Sequence, residues 1–175
     1  MAHAAERTTR IETSASSVAT QRARELRAAG HDVIALTQGQ PDFETPDHVM
    51  DAAIAAMKNG ETGYTPVMGT PALRDAIRVK FKRDNGLDYA EDQVIASNGG
   101  KQIIYNALMS TVEPGDEVIV TAPFWMSYLE MTKFAEGVPV VVECHEESSF
   151  KLTPDQLEAA ITPRTRWLIL NSPNN

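Results

Sequence analysis

Residues 113–128 read EPGDEVIVTAPFWMSY. Pro114 and Gly115 suit the two central positions of a type II turn, because proline presets the first dihedral and glycine accepts the positive φ of the second. Val118, Ile119 and Val120 then place apolar side chains on both faces of a strand, the mark of a strand buried on both sides. Pro123 cannot continue a ladder, and the residues from Phe124 to about Glu136 read as a helix. The pattern recurs downstream. VPVVVE (138–143) and WLIL (167–170) are apolar runs of strand length, and Thr153-Pro154 opens a short helix between them. Strands alternating with helices predict an α/β fold of three layers, a mostly parallel sheet with helices on both faces. Ligands bind such sheets beyond the carboxyl ends of the strands.

Upstream, residues 17–29 read as a helix stopped by Gly30, and residues 33–36 as a short strand. A second helix is expected with Thr45 as N-cap, Pro46 at the first helical position, Asp47 in the first turn and Gly60 past the end. Val49, Ala53, Ile54 and Met57 form its apolar stripe. A third repeats the device with Thr70, Pro71 and Gly86, and turns Leu73, Ile77 and Phe81 inward. Residues 93–96 read as a strand, followed by SNGG and a helix over 101–110.

Length and composition set the bounds. A chain of 175 residues fits one domain, or one domain and part of another, with a sizeable core. The net charge of −8 argues against a nucleic-acid binder, which presents a basic face. Nothing approaches the ~20 apolar residues of a membrane span. Cys144 is the single cysteine, so no internal disulfide forms, which suits a reducing cytoplasm. Its neighbour His145 would point to the opposite face of a strand, a poor arrangement for a catalytic thiol. His3, His31, His48 and His145 have no metal-ligand spacing.

Four stretches follow strands and invite a functional reading. In SNGGK (97–101), two glycines let the backbone approach a ligand, and a helix N-terminus with Lys101 favours an anion; an ordinary tight turn fits equally well. Its spacing is neither a P-loop nor a dinucleotide fingerprint. Trp125 and Tyr128 read as core aromatics, or Trp125 as a ring held over a planar ligand. NSPNN (171–175) is either an asparagine-rich turn or a source of amide donors. Gly39, in LTQGQPDFETP (36–46), is either part of a hinge loop or a backbone donor to a carboxylate.

Taken in order, LTQGQPDFETP, TGYTPVMGTPALRDAI, SNGGKQIIYNAL, EPGDEVIVTAPFWMSY and ITPRTRWLILNSPNN resemble the class I aminotransferases that use pyridoxal phosphate, and resemble their bacterial aspartate aminotransferase branch most. The resemblance implies the fold type I architecture, with residues 1–45 as an N-terminal arm and small-domain segment and 46–175 as the first part of the large, cofactor-binding domain. It implies that Gly99, Gly100 and Lys101 bind the cofactor phosphate and that Trp125 stacks on the pyridine ring. Asn175 would donate to the phenolic oxygen. Gly39, Trp125 and Asn175 would line the substrate, with Gly39 contacting its carboxylate. Tyr64 would reach the phosphate of a second subunit in a homodimer. Lys101 is further implied in binding an acidic side chain. Glu12 stands where prephenate-using relatives carry lysine, which disfavours a second carboxylate substrate there.

In the family a Pro-Thr-Gly follows the asparagines, and the Schiff-base lysine, the aspartate on the pyridinium nitrogen and a carboxylate-binding arginine come later. The resemblance therefore implies an N-terminal portion with an incomplete large domain and no catalytic lysine, inactive alone. The complete protein would be a cytoplasmic transferase exchanging amino groups between an amino acid, aspartate or a similar one, and a 2-oxo acid. Two related readings share the same residues: a carbon–sulfur lyase, and a non-enzymatic pyridoxal-binding regulator, for which the ~30 residues ahead of the fold are too few to hold a DNA-binding domain.

Overall fold

A computed structural model of the chain describes residues 4–37, 39 and 41–173. It divides into two compact units, residues 1–38 with 104–175, and residues 39–103. Helix α1 (Ala15–Ala28) belongs to the first, and α2 (Asp47–Lys58) and α3 (Pro71–Asn85) to the second. Helix α4 (Gly100–Thr111) carries the division between residues 103 and 104. The first unit continues with β1 (Glu117–Ala122), α5 (Ser127–Phe134), β2 (Val138–Glu143), α6 (Pro154–Ala160) and β3 (Thr165–Ile169).

The first unit is a parallel three-stranded sheet in the order β2-β1-β3. The turn that opens β1 forms as its sequence requires: the Asp116 amide donates to the Glu113 carbonyl at 3.0 Å across Pro114-Gly115. Val118 and Val120 point to one face, where they pack with Leu108 of α4 and Val112 just past it, and with Tyr128 and Met131 of α5 and Ala135 at its C-cap. Ile119 points to the other face and is fully buried. The central strand is thus apolar on both sides, as expected. β2 is not: Val138 and Val141 are exposed, because this strand has a neighbour on one flank only among the described residues.

β1 and β3 are joined beyond their ladder. Their register slips by one residue between Glu117 and Val118, so that Arg166 has no partner opposite it and reaches Asp116 at 3.1 Å. Glu117, nearly buried, accepts from the Thr162 hydroxyl at 2.6 Å and from two nitrogens of Arg164 at 2.6 and 3.0 Å. These donors, the Thr162 hydroxyl first, hold its carboxyl below the ordinary value. Ahead of the sheet, a 3₁₀ turn at Glu6–Arg10 lies along α5. Arg10 pairs with Glu136 at 2.7 Å, and the Glu12 amide donates to Glu130 at 2.8 Å.

Two expected strands do not form. Residues 33–36 are irregular, with Ile34 and Leu36 exposed; the Val33 carbonyl takes two guanidinium donors from Arg27, at 2.9 and 3.1 Å, in place of a ladder partner. Of residues 93–96, in the second unit, Gln93 ends a 3₁₀ turn at Glu91–Gln93 and 94–96 remain irregular. β-propensity becomes a strand only beside another strand, and here the neighbour is the loop before α3, through the Ala96 amide and the Met68 carbonyl at 2.9 Å.

In the second unit, α3 keeps its expected ends. Thr70 accepts from the Leu73 amide, Pro71 opens the helix and Gly86 closes it. Ile77 and Phe81 are half-buried, but Leu73 is exposed. α2 differs: Pro46 itself is the N-cap residue and no side chain caps the helix, which begins at Asp47, one position later than expected. Its stripe of Val49, Ile54 and Met57 is exposed, because no layer within this unit covers it. No helix among the described residues is long and apolar enough to cross a membrane.

Candidate functional site

The second unit holds the glycine turn. Residues 97–99 lead directly into α4, whose first residue is Gly100. Gly99 has φ +95°, a conformation costly for any side chain with a Cβ, and its amide donates to the Ser97 carbonyl at 2.8 Å. The Gln102 side chain folds back to accept from the Asn98 amide at 3.2 Å, which fixes the turn from inside the helix. A Cβ on Gly99 or on Gly100 would meet nothing within 4 Å, so the backbone of both stands open to an incoming group. Gly99, Gly100 and Lys101 are all exposed, and the positive end of the α4 dipole lies beside them.

One contact missed in the sequence positions this turn. Gly69 has φ +96°, and a Cβ there would lie 2.8 Å from the Ala96 Cβ, one residue before the turn begins. The loop of residues 62–70 therefore braces the approach to SNGGK, and the same loop carries Tyr64, which is fully exposed. The clue in the sequence was the glycine of VMGTP, but nothing local identified Ala96 as its partner. Gly39 is exposed in an irregular segment, and its Cβ position is open as well.

The first unit holds Trp125. It follows β1 through Pro123 and Phe124 and stands ahead of α5, half-buried. Its indole meets the Tyr128 ring edge to face, with centroids 5.4 Å apart and planes at 89°. Trp125 also packs against the core, so the core reading and the ligand reading are compatible. A cavity of about 580 Å³ opens beyond the carboxyl ends of β1 and β3, lined by Thr121, Leu157, Leu168, Leu170, Asn171 and Pro173 among others; Trp125 is not among its lining residues. Asn175 lies outside the described residues. Cys144 is buried and His145 exposed, in keeping with their opposite faces.

A parallel sheet with a tryptophan just past a strand end in one unit, and an open glycine turn at a helix N-terminus in the other, are features expected of the enzymes that bind a flat, phosphorylated cofactor. The chain belongs to the aminotransferase class I and II family, whose model matches residues 31–175. It is 53% identical over 175 residues to a probable aspartate/prephenate aminotransferase of Rhizobium leguminosarum bv. phaseoli, covering 100% of this chain and 44% of that protein. It is 52% identical over 171 residues to an aspartate aminotransferase of Geobacillus stearothermophilus, covering 98% and 44%. Among solved structures, the Rhizobium meliloti aspartate aminotransferase superposes with a TM-score of 0.97 at 47% identity, covering 100% of this chain and 44% of that one. The Thermus thermophilus aspartate aminotransferase with maleate gives 0.94 at 46% identity, covering 100% and 46%. The chain thus spans under half the length of these relatives. Their fold is that of the fold type I enzymes, and membership of the family implies pyridoxal phosphate as cofactor. The residues present fit that group: the open backbone at Gly99 and Gly100 suits a phosphate, and a T-shaped partner such as Tyr128 leaves at least one indole face of Trp125 uncovered by it.

Proposed function

We propose that the complete protein carrying this chain is a pyridoxal-phosphate-dependent aminotransferase that moves an amino group between aspartate, or a similar L-amino acid, and a 2-oxo acid. The observation that carries this reading is the family match across residues 31–175 together with the open glycine turn that begins α4. When bound, pyridoxal phosphate supplies the electron sink for bond breaking at the amino acid's α-carbon. In this chain, Gly99 and Gly100 offer backbone to the phosphate, the α4 dipole favours its negative charge, and Lys101 adds a cation. Trp125 covers the ring and keeps water from one side of it. Asn175 donates to the phenolic oxygen. Gly39, Trp125 and Asn175 bind substrate, Gly39 through its backbone to the carboxylate. Proton transfer falls to a lysine that this chain does not supply, so residues 1–175 alone are expected to be inactive.

The Thermus relative's maleate is a dicarboxylate, which supports an acidic substrate. Glu12, an acid where the resemblance expects a lysine in prephenate-using relatives, disfavours prephenate as acceptor. The exposed Tyr64 supports a homodimer in which it reaches the partner's phosphate. Cys144, a buried free thiol, supports a cytoplasmic location. Residues 1–45 are proposed as arm and small-domain segment, and 46–175 as the first part of the large domain.

The test is keto-acid exchange by the complete protein, with aspartate and 2-oxoglutarate, then with prephenate as acceptor. Cofactor-dependent oxaloacetate formation with weak prephenate use is expected. Release of pyruvate and thiol from a cysteine conjugate without exchange would overturn the reading in favour of a lyase.

A further inference from the structure

We infer that Tyr128 is a positioning residue that sets the plane of Trp125 against the cofactor ring. The inference rests on the proposed stacking role of Trp125. Three observations carry it. The two rings meet at 89° with centroids 5.4 Å apart, so rotation of the indole toward Tyr128 is blocked by a ring rather than by a flexible chain. Tyr128 is itself buried, 7% exposed, within the core of Leu108, Val112, Val118, Val120 and Met131, so it cannot yield. Its backbone is fixed at both ends of the contact: its amide donates to the Trp125 carbonyl at 3.0 Å, and its carbonyl accepts from the buried Thr132 hydroxyl at 2.8 Å. Trp125 stands just ahead of α5, and the three-residue spacing brings the Tyr128 ring against its indole.

The role is that of the ring, not of the hydroxyl. A T-shaped pair restricts the indole to a narrow range of planes, and stacking on a flat heteroaromatic ring depends on that plane. Removing the Tyr128 ring should therefore weaken cofactor binding through Trp125, without any contact of its own.

The experiment is a double-substitution cycle in the complete protein, read as pyridoxal phosphate affinity by absorbance titration and as induced circular dichroism of the bound cofactor. Tyr128→Phe is expected to leave both unchanged. Tyr128→Leu is expected to weaken affinity by about 2- to 10-fold and to reduce the induced signal. In a Trp125→Leu background the same substitution is expected to have no further effect. If Tyr128→Leu weakens binding equally in both backgrounds, it acts through the core and the positioning role is wrong. If Trp125→Leu itself leaves affinity and signal unchanged, the stacking reading fails. If Trp125→Leu weakens binding and Tyr128→Leu does not, only the positioning inference fails. Should Tyr128→Leu not fold, Tyr128→Met takes its place in the cycle with the same outcomes.

Discussion

Replacing Gly69 with alanine tests how the glycine turn is held. The position has φ +96°, and the new Cβ would sit 2.8 Å from the Ala96 Cβ. The left-handed backbone costs a non-glycine residue about 1–3 kcal/mol. The contact adds to this, because two carbons pack best at about 3.5–4.0 Å and the Ala96 Cβ is fixed to its backbone. Relief requires the 62–70 loop and the 94–97 segment to move apart, which strains the bond from the Ala96 amide to the Met68 carbonyl, a term of about 1 kcal/mol. The sum is about 2–4 kcal/mol, or roughly 2–5 °C in Tm for a protein of the relatives' full length, of which this chain covers 44%. Thermal unfolding followed by circular dichroism, on the complete protein, reads the stability. Because the strained segment runs into Ser97 and Gly99, pyridoxal phosphate affinity should fall too. A second substitution, Ala96→Gly, removes the opposing Cβ and should recover the contact term while leaving the dihedral cost. A Tm within 1 °C of the parent for Gly69→Ala would refute the reasoning. So would a double variant no better than the single one, which would show that the close approach to Ala96 is not what the glycine serves.

Leu108, 1% exposed at the centre of the first unit's core, should cost about 2–5 kcal/mol when cut to alanine, measured by denaturant midpoint. Thr153→Ala should cost about 1 kcal/mol, because its hydroxyl caps the Gln156 amide while the Gln156 side chain accepts from the Thr153 amide; the same midpoint checks it. Glu117 has a folded-state pKa lowered chiefly by the Thr162 hydroxyl and then by Arg164. Its contribution is fully present above the ordinary glutamate value of 4.5 and is lost as pH falls through the lowered folded value. Melting curves from pH 7 down to about pH 3 should show the parent losing more stability than Glu117→Gln across that acid window. Finally, the isolated 175-residue chain should give no cofactor-dependent exchange of aspartate with 2-oxoglutarate, and measurable turnover would contradict the assignment of proton transfer to a lysine outside it.

The sequence by itself determined the elements whose reasons are local. The turn at Pro114-Gly115, the caps at Thr70 and Thr153, and the buried central strand at 118–120 each depend on residues within a few positions of one another. Each forms where the sequence places it. The glycine turn was legible for the same reason: two glycines before a helix state their own conformation. Tertiary structure alone decided what depends on a distant partner. Residues 33–36 and 94–96 have strand composition but no strand beside them among the described residues, so they stay irregular; hydrogen-bond ladders are made between segments, not within one. The stripe of α2 is apolar at helical spacing, yet whether it is buried depends on what packs against it. Gly69 meeting Ala96 and Tyr128 meeting Trp125 differ in the same way. The second pair lies three residues apart and could be suspected from spacing, whereas the first spans 27 positions and comes together only because the chain folds back on itself.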